Sequence, residues 1–369
     1  MSIISTTIFP GRYVQGYDAL RRLGPEAARF GKRGYLICDP FVFDTLLPKI
    51  RLEVEQAIQV EVVRFNGECS DEEVARIARL VKEIGLEIGS DVIIGIGGGK
   101  ALDAAKAVAN TLALPIVIVP TIASTDAPCS ALSVIYTTEG IVKRYLILPR
   151  NPDLVLVDTK VVAEAPVRFL VAGMGDALAT WFEAEACQRK YASNMTGNVG
   201  SYTAYALAQF CYETLLEYGL AAKVSCEAKV VTPALDRIVE ANTLLSGLGF
   251  ESGGLASCHA IHNGLTTLEQ THAYWHGEKV AIGVLTSLFL TDKPASVIDI
   301  VYTFCEAVGL PTTLAEIGLA DVTDDLLINV ARAACAEGET IHNEPIPITP
   351  EAVFAALRAA DAEGQRRKK

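Results

Sequence analysis

Along the first 160 or so residues, short and almost unbroken apolar runs alternate with stretches in which apolar positions recur every three or four residues. The runs GYLICD (34–39), VEVVRF (60–65), DVIIGIG (91–97), PIVIVPT (115–121) and the pair RYLILP and LVLVD between 144 and 158 predict strands. The segments EEVARIARLVKEIGLE (72–87) and ALDAAKAVANTL (101–112) predict amphipathic helices between them. Strands apolar on both faces belong in a parallel sheet covered by helices on each side. After Pro166 the pattern changes. The segments 167–188, 203–223, 235–250 and 280–290 have helical length and period, and strand signals almost vanish. The prediction is an α/β domain over residues 1–163 followed by an all-α domain over 164–369. The final EGQRRKK predicts a solvated, fraying tail.

Composition narrows the choice of partner. Half of the 369 residues are hydrophobic, enough for a large core, but no apolar run reaches the length of a membrane span. The first residues, MSIISTTIFPGRYVQG, lack a basic stretch followed by an apolar block, so no secretory signal is expected. A net charge of −12 argues against nucleic acid and anionic membrane, both of which need a basic face. A small molecule or another protein is the expected partner. The nine cysteines include no CxxC pair and are odd in number, which predicts buried thiols in a reducing compartment.

Two segments carry candidate chemistry for an anionic ligand. In DVIIGIGGGKALDAAKAVAN a buried strand runs through consecutive glycines into a helix, which lets backbone N–H groups approach an anion at a helix N-terminus. A dinucleotide fingerprint starting at Gly95 would need glycine at 100, where Lys100 stands. A Walker loop fails too, because Ile94 and Ala101 occupy its required positions. The turn predicts phosphate binding of a third type, with Lys100 as charge partner. Asp39 ends the strand GYLICD, where a carboxylate can accept ribose hydroxyls or simply start a turn before Pro40.

Asp176 lies in an apolar helical stretch, FLVAGMGDALATWF, and needs a counter-charge if buried. Four of the five histidines, His259, His262, His272 and His276, fall within one short segment. One carboxylate and two imidazoles would leave a position open for an exogenous oxygen, as in catalytic zinc sites, and the same donors suit ferrous iron. Spacing alone does not say which two histidines bind; the glycine at 277 predicts a loop or helix end at His276. Cys258 is a poorer candidate, since it diverges from His259 on a helix. Asp126 follows PIVIVPT at a strand's carboxyl end, with Thr121, Ser124, Ser130 and Tyr136 nearby. That is where open parallel sheets bind ligands, although turn chemistry accounts for such residues as well.

Taken in order, GIGGGKALDAAKA, VPTIASTDAPCSALSVIYT, FLVAGMGDALATWFEAEAC, GGLASCHAIHNGL and HGEKVAIG resemble the bacterial glycerol dehydrogenases, within the metal-dependent, iron-type alcohol dehydrogenases. The resemblance runs through the whole chain. It implies a Rossmann-like, dehydroquinate-synthase-like first domain, and oxidation of glycerol or a related vicinal diol by hydride transfer to NAD. It implies zinc, ahead of Fe2+, on Asp176, His259 and His276, which makes His262 and His272 pocket or supporting residues. Asp126 and His259 would act on the polyol, with Phe250 lining the pocket. NAD would lie on Asp39, Gly97, Gly98, Gly99, Lys100, Thr121, Ser124, Ser130, Leu132 and Tyr136. A cytoplasmic homo-oligomer, an octamer, is implied as well.

One departure is informative. Iron-type relatives place a histidine four residues after the metal-binding aspartate, where this chain has Thr180. One imidazole fewer suits zinc and a diol. Dehydroquinate synthase and glycerol-1-phosphate dehydrogenase share the plan but bind a phosphate, which calls for a basic cluster. The histidine segments are poor in Arg and Lys, with Lys279 the nearest. A nucleotide-binding sensor without turnover would leave Asp176 and the histidines without a purpose.

Overall fold

The computed structural model describes residues 3–85, 87 and 89–369. Its eight strands are β1 (Tyr13–Gly16), β2 (Arg33–Cys38), β3 (Gln59–Arg64), β4 (Asp91–Gly97), β5 (Ile116–Pro120), β6 (Leu132–Tyr136), β7 (Val142–Ile147) and β8 (Leu154–Asp158). Six form one parallel sheet in the order β1-β8-β5-β4-β2-β3. Alternation along the strands feeds two cores. Ile37, Ile93, Ile118 and Val155 face α1 (Asp71–Gly85) and α2 (Gly99–Leu112), while Leu36, Ile94, Val117 and Leu156 face the N-terminal helices. Each such side chain, removed from water, contributes about 1.5–3 kcal/mol.

The strand order has one reversal. From β2 the chain moves outward to β3, then returns to the other side of β2 for β4 and continues to β5. The carboxyl ends of β2 and β4 therefore part around a crevice, the place where such sheets bind ligands. Asp39 and the glycine turn stand on its two sides.

From Val167 onward the described elements are helical, and no named strand follows Asp158. Pro166 caps α3 (Val167–Lys190), whose fixed φ suits a helix start. Then come α4 (Tyr202–Glu227), α5 (Pro233–Glu240), a π-helical turn (Ala241–Leu245), α6 (Ser246–Gly253), α7 (Ser257–Leu265), α8 (His276–Leu290) and, last, α9 (Pro350–Arg367). The helix α3 packs against both α4 and α8, and α8 packs against α7.

Several elements differ from the sequence reading. RYLILP does not join the sheet: it is β7 of an antiparallel hairpin with β6, and its side chains are largely exposed. The edge strand β1 was not signalled, being only four half-buried residues. The helix expected over 72–87 runs to Gly85; Leu86 lies outside the described residues. The helix expected over 235–250 is interrupted by the π-turn. The tail is not frayed as far as Arg367, which ends α9 and pairs with Asp299 at 2.7 Å and Glu306 at 3.0 Å. Eight of the nine cysteines are buried and all are free, as expected.

Candidate active site

Asp176 sits in the middle of α3 with no exposed surface. His259 comes from α7, and His276 is the first residue of α8. The close approach of α8 depends on Gly277, where a Cβ would overlap the Ala172 carbonyl oxygen of α3. Glu278 staples the same helix start: it accepts the Trp275 amide at 2.8 Å and Arg168 Nε and Nη2 at 2.6 and 2.8 Å. His276 is thereby placed with Nε2 3.1 Å from Asp176 Oδ1, and His259 Nε2 is 3.3 Å from the same oxygen. Donors on one tetrahedral zinc at ~2.0–2.1 Å stand roughly 3.3 Å apart, so the spacing matches a shared metal. The ligand atoms of all three residues lie within 4.8 Å of one another.

The donor chemistry fits a cation equally well. Glu183, two helical turns after Asp176, takes His259 Nδ1 at 2.6 Å and the His259 amide at 2.9 Å. The proton this keeps on Nδ1 makes Nε2, beside Asp176 Oδ1, the ring nitrogen that would exchange its own proton for a cation. Among the described residues Oδ1 has no hydrogen-bond donor of its own, while Oδ2 accepts the Asp126 amide at 3.1 Å. Burial pushes the Asp176 carboxyl up, but His276 and His259 outweigh it and hold it well below the usual carboxylate range. Burial also disfavours a charged His259, against which Glu183 and Asp176 raise its pKa well above the ordinary value.

Asp126 lies beside this group in the loop after β5. Burial, then the Asp176 charge, pushes its carboxyl well above the usual range. Its Oδ2 accepts Ser246 Oγ at 2.7 Å, and Ser246 Oγ lies 2.7 Å from Thr180 Oγ1. With its one proton given to Asp126, Ser246 accepts from Thr180. The position that distinguishes this chain from iron-type relatives thus ends a hydroxyl chain to Asp126. Phe250 is buried one turn beyond Ser246 on α6.

The other two histidines of this segment lie outside the trio. His262 is buried, its ring centred 4.3 Å from that of His276, with Nδ1 3.1 Å from Asn263 Oδ1. His272 is exposed, with Nε2 2.9 Å from the Thr266 carbonyl oxygen. Cys258 places its sulfur 3.4 Å from Ser287 Oγ.

At the crevice, Asp39 accepts the Gly98 amide at 3.0 Å and the Val42 amide at 2.8 Å. Gly97 has φ +149° and backs onto this carboxylate so closely that any Cβ would strike it. The Thr121 amide donates to the Gly97 carbonyl at 3.1 Å, tying the turns after β4 and β5 together. Gly98 caps α2 and Gly99 begins it, and a Cβ at Gly99 would meet nothing within 4 Å. Free amides at a helix start beside open space fit a dinucleotide phosphate. Leu132 and Tyr136, alternate residues of β6, share its partly exposed face. Ser130 is buried against the Ala127 carbonyl at 2.9 Å, and Ser124 is half-buried. The Lys100 ammonium pairs with Glu68 at 2.6 Å and lies 4.7 Å from the Tyr136 ring centre.

Sequence reading passed over Glu183, Ser246 and the buried Lys106. For Glu183 a signal existed: Asp176 and Glu183 are seven apart, on one face of a predicted apolar helix.

Comparison with known proteins places the chain in a family. Residues 10–159 match the model of the iron-containing alcohol dehydrogenase family. Over 366 residues the chain is 66% identical to glycerol dehydrogenase from Thermotoga maritima, covering 99% of each chain. It is 46% identical over 364 residues to glycolaldehyde reductase from Halobacterium salinarum, covering 98% of this chain and 99% of that one. The crystal structure of glycerol dehydrogenase from Schizosaccharomyces pombe superposes with a TM-score of 0.93 at 39% identity, covering 99% of this chain and 92% of that one. The chain belongs to the iron-containing alcohol dehydrogenases and, within them, to the glycerol dehydrogenase family.

Proposed function

We propose that this chain oxidises glycerol to dihydroxyacetone, with reduction of NAD to NADH and release of one proton, reversibly. The single observation that carries the site assignment is the buried, donorless Asp176 Oδ1 facing two imidazole Nε2 atoms beside Asp126. A divalent metal on Asp176, His259 and His276, zinc ahead of iron, would supply Lewis-acid polarisation of the secondary hydroxyl, and NAD on the glycine turn would supply the hydride acceptor. Every other part of the task falls to side chains. Glu183 keeps His259 in one tautomer and orientation. Asp126 accepts a hydrogen bond from a neighbouring substrate hydroxyl and orients the diol, as the Ser246–Thr180 chain holds its own carboxyl still. Phe250 and the packed helices exclude water. Asp39 accepts the ribose hydroxyls and repels a 2′-phosphate, which supports NAD over NADP.

The cleft would lie between a cofactor-binding unit, residues 1–163, and a helical unit, 164–369. A buried acidic pair, Asp126 and Asp176, favours a neutral polyol over a phosphorylated substrate. Among the described residues no helix is long and apolar enough to cross a membrane. We read the enzyme as a cytoplasmic homo-oligomer, an octamer; exposed Phe210, Leu220 and Val224 along α4 support a further contact surface. The test is NADH absorbance with NAD and glycerol, before and after chelation and return of zinc. Loss with chelator and recovery with zinc are expected. No NADH from folded, zinc-loaded protein would overturn the reading.

A further inference from the structure

The loop that carries Asp126 into β6 has only one 3-10 turn, Ala127–Cys129, yet Ala123, Cys129 and Ala131 in it are buried. Such a loop must find partners for its carbonyls and amides without water. It finds them in side chains from three directions. From below, the Lys106 ammonium on α2 donates to the Ala127 carbonyl at 2.9 Å and the Leu132 carbonyl at 2.6 Å. From the helical side, Asn242 in the π-turn donates to the Ala123 carbonyl at 3.0 Å. One turn on, Ser246 holds the Asp126 carboxyl.

The remaining contact is the least expected. Glu251, on α6 and only 3% exposed, accepts the Ala131 amide at 2.6 Å with Oε1. Its Oε2 accepts Asn151 Nδ2 at 2.5 Å, and the same nitrogen donates to the Cys129 carbonyl at 2.9 Å. Asn151, 7% exposed, comes from the segment between β7 and β8, so one carboxylate joins three stretches of chain. A buried carboxylate is a costly way to satisfy one amide, which a neutral group would do as well. With both oxygens engaged, the carboxyl holds the Ala131 amide and Asn151 in one geometry. The 129–131 backbone it grips lies between Asp126 and the Leu132–Tyr136 face of the crevice.

We infer that Glu251 and Asn151 are positioning residues for the reaction, a buried clamp that sets the Asp126 carboxyl against Asp176 and the crevice. The inference rests on the reading of Asp126 as the group that orients the polyol. Neither residue touches substrate; both act through the loop.

The experiment compares unmodified protein with Asn151→Ala and Glu251→Gln in steady-state glycerol oxidation. Gln keeps the shape of Glu251 but turns an amide N–H2 against Asn151 Nδ2, donor to donor. A misplaced orienting group is expected to raise KM for glycerol and lower kcat, with kcat/KM down roughly tenfold or more. A purely structural role would lower the folded fraction and leave KM where it was, and an unchanged KM overturns the inference. If both variants fail to fold, hydrogen exchange of the Ala131 amide in unmodified protein decides. Exchange as slow as in α6 supports the clamp, and exchange at the rate of exposed loops overturns it. An unmodified protein that makes no NADH from glycerol would instead overturn the reading of the site, and the amide exchange would still judge the clamp.

Discussion

The two halves of the site are built from opposite materials. The Asp176 group is made of side chains, buried and already braced by Glu183, Glu278 and Arg168, with its charge answered only by two imidazoles. The glycine turn is made of backbone, and the protein leaves the space above Gly99 empty. One half stores an electrostatic demand, and the other only removes obstacles. The first should therefore fail abruptly when altered, and the second by degrees.

The sharpest break is Asp176→Asn, which removes the shared anionic donor. Loss of several kcal/mol of transition-state stabilisation is expected, a fall in kcat/KM on the order of 10³-fold or more, with bound zinc lost by elemental analysis. Activity retained in metal-free variant would refute the assignment. Glu183→Gln leaves all three ligands in place and frees the His259 ring. Metal affinity should drop roughly 10–100-fold, read by competition with a chelator, and added zinc should restore most of the turnover.

On the backbone side, Gly99→Ala puts a methyl where the protein has no neighbour. The KM for NAD is expected to rise about tenfold, while thermal stability holds or improves by ~0.4–1 kcal/mol from the stiffer unfolded chain. A stability loss with unchanged NAD binding would show that the glycine serves folding instead.

The smallest effect concerns pH. Burial pushes the Glu251 carboxyl up from 4.5 to about 7, against the Ala131 amide, Asn151 and Lys106, which pull it down. Between those values the native protein holds a proton that the unfolded chain releases. Stability should fall as pH rises through that window and level off above it. Glu251→Gln should flatten this part of the melting-temperature profile; an unaltered slope would mean that the carboxyl titrates normally.

The contrast also explains what could be read from sequence. Asp176 is conspicuous because an acid among Gly, Ala, Leu and Met has no cheap place in a core, and four clustered histidines announce themselves. The strands β2, β4, β5 and β8 are legible because strands buried on both faces are apolar throughout. The hairpin strand β7 has the same apolar character in part but faces solvent, and nothing local separates the two cases. The π-turn at 241–245 escapes the pattern since one extra residue per turn barely disturbs a helical period. The clamp joins residues 131, 151 and 251, and only the tertiary fold brings them together.

The trio's places along the chain also bear on how such a site is assembled. Asp176 lies mid-helix on α3, His259 on α7 and His276 at the start of α8, so a ribosome must finish all three before any two imidazoles can meet the carboxylate. Such a metal would join distant stretches of chain, unlike the ion of a zinc finger, around which residues close in sequence gather. A metal shared by these three residues would find its full donor set only once the chain has been made as far as His276, late in synthesis rather than early.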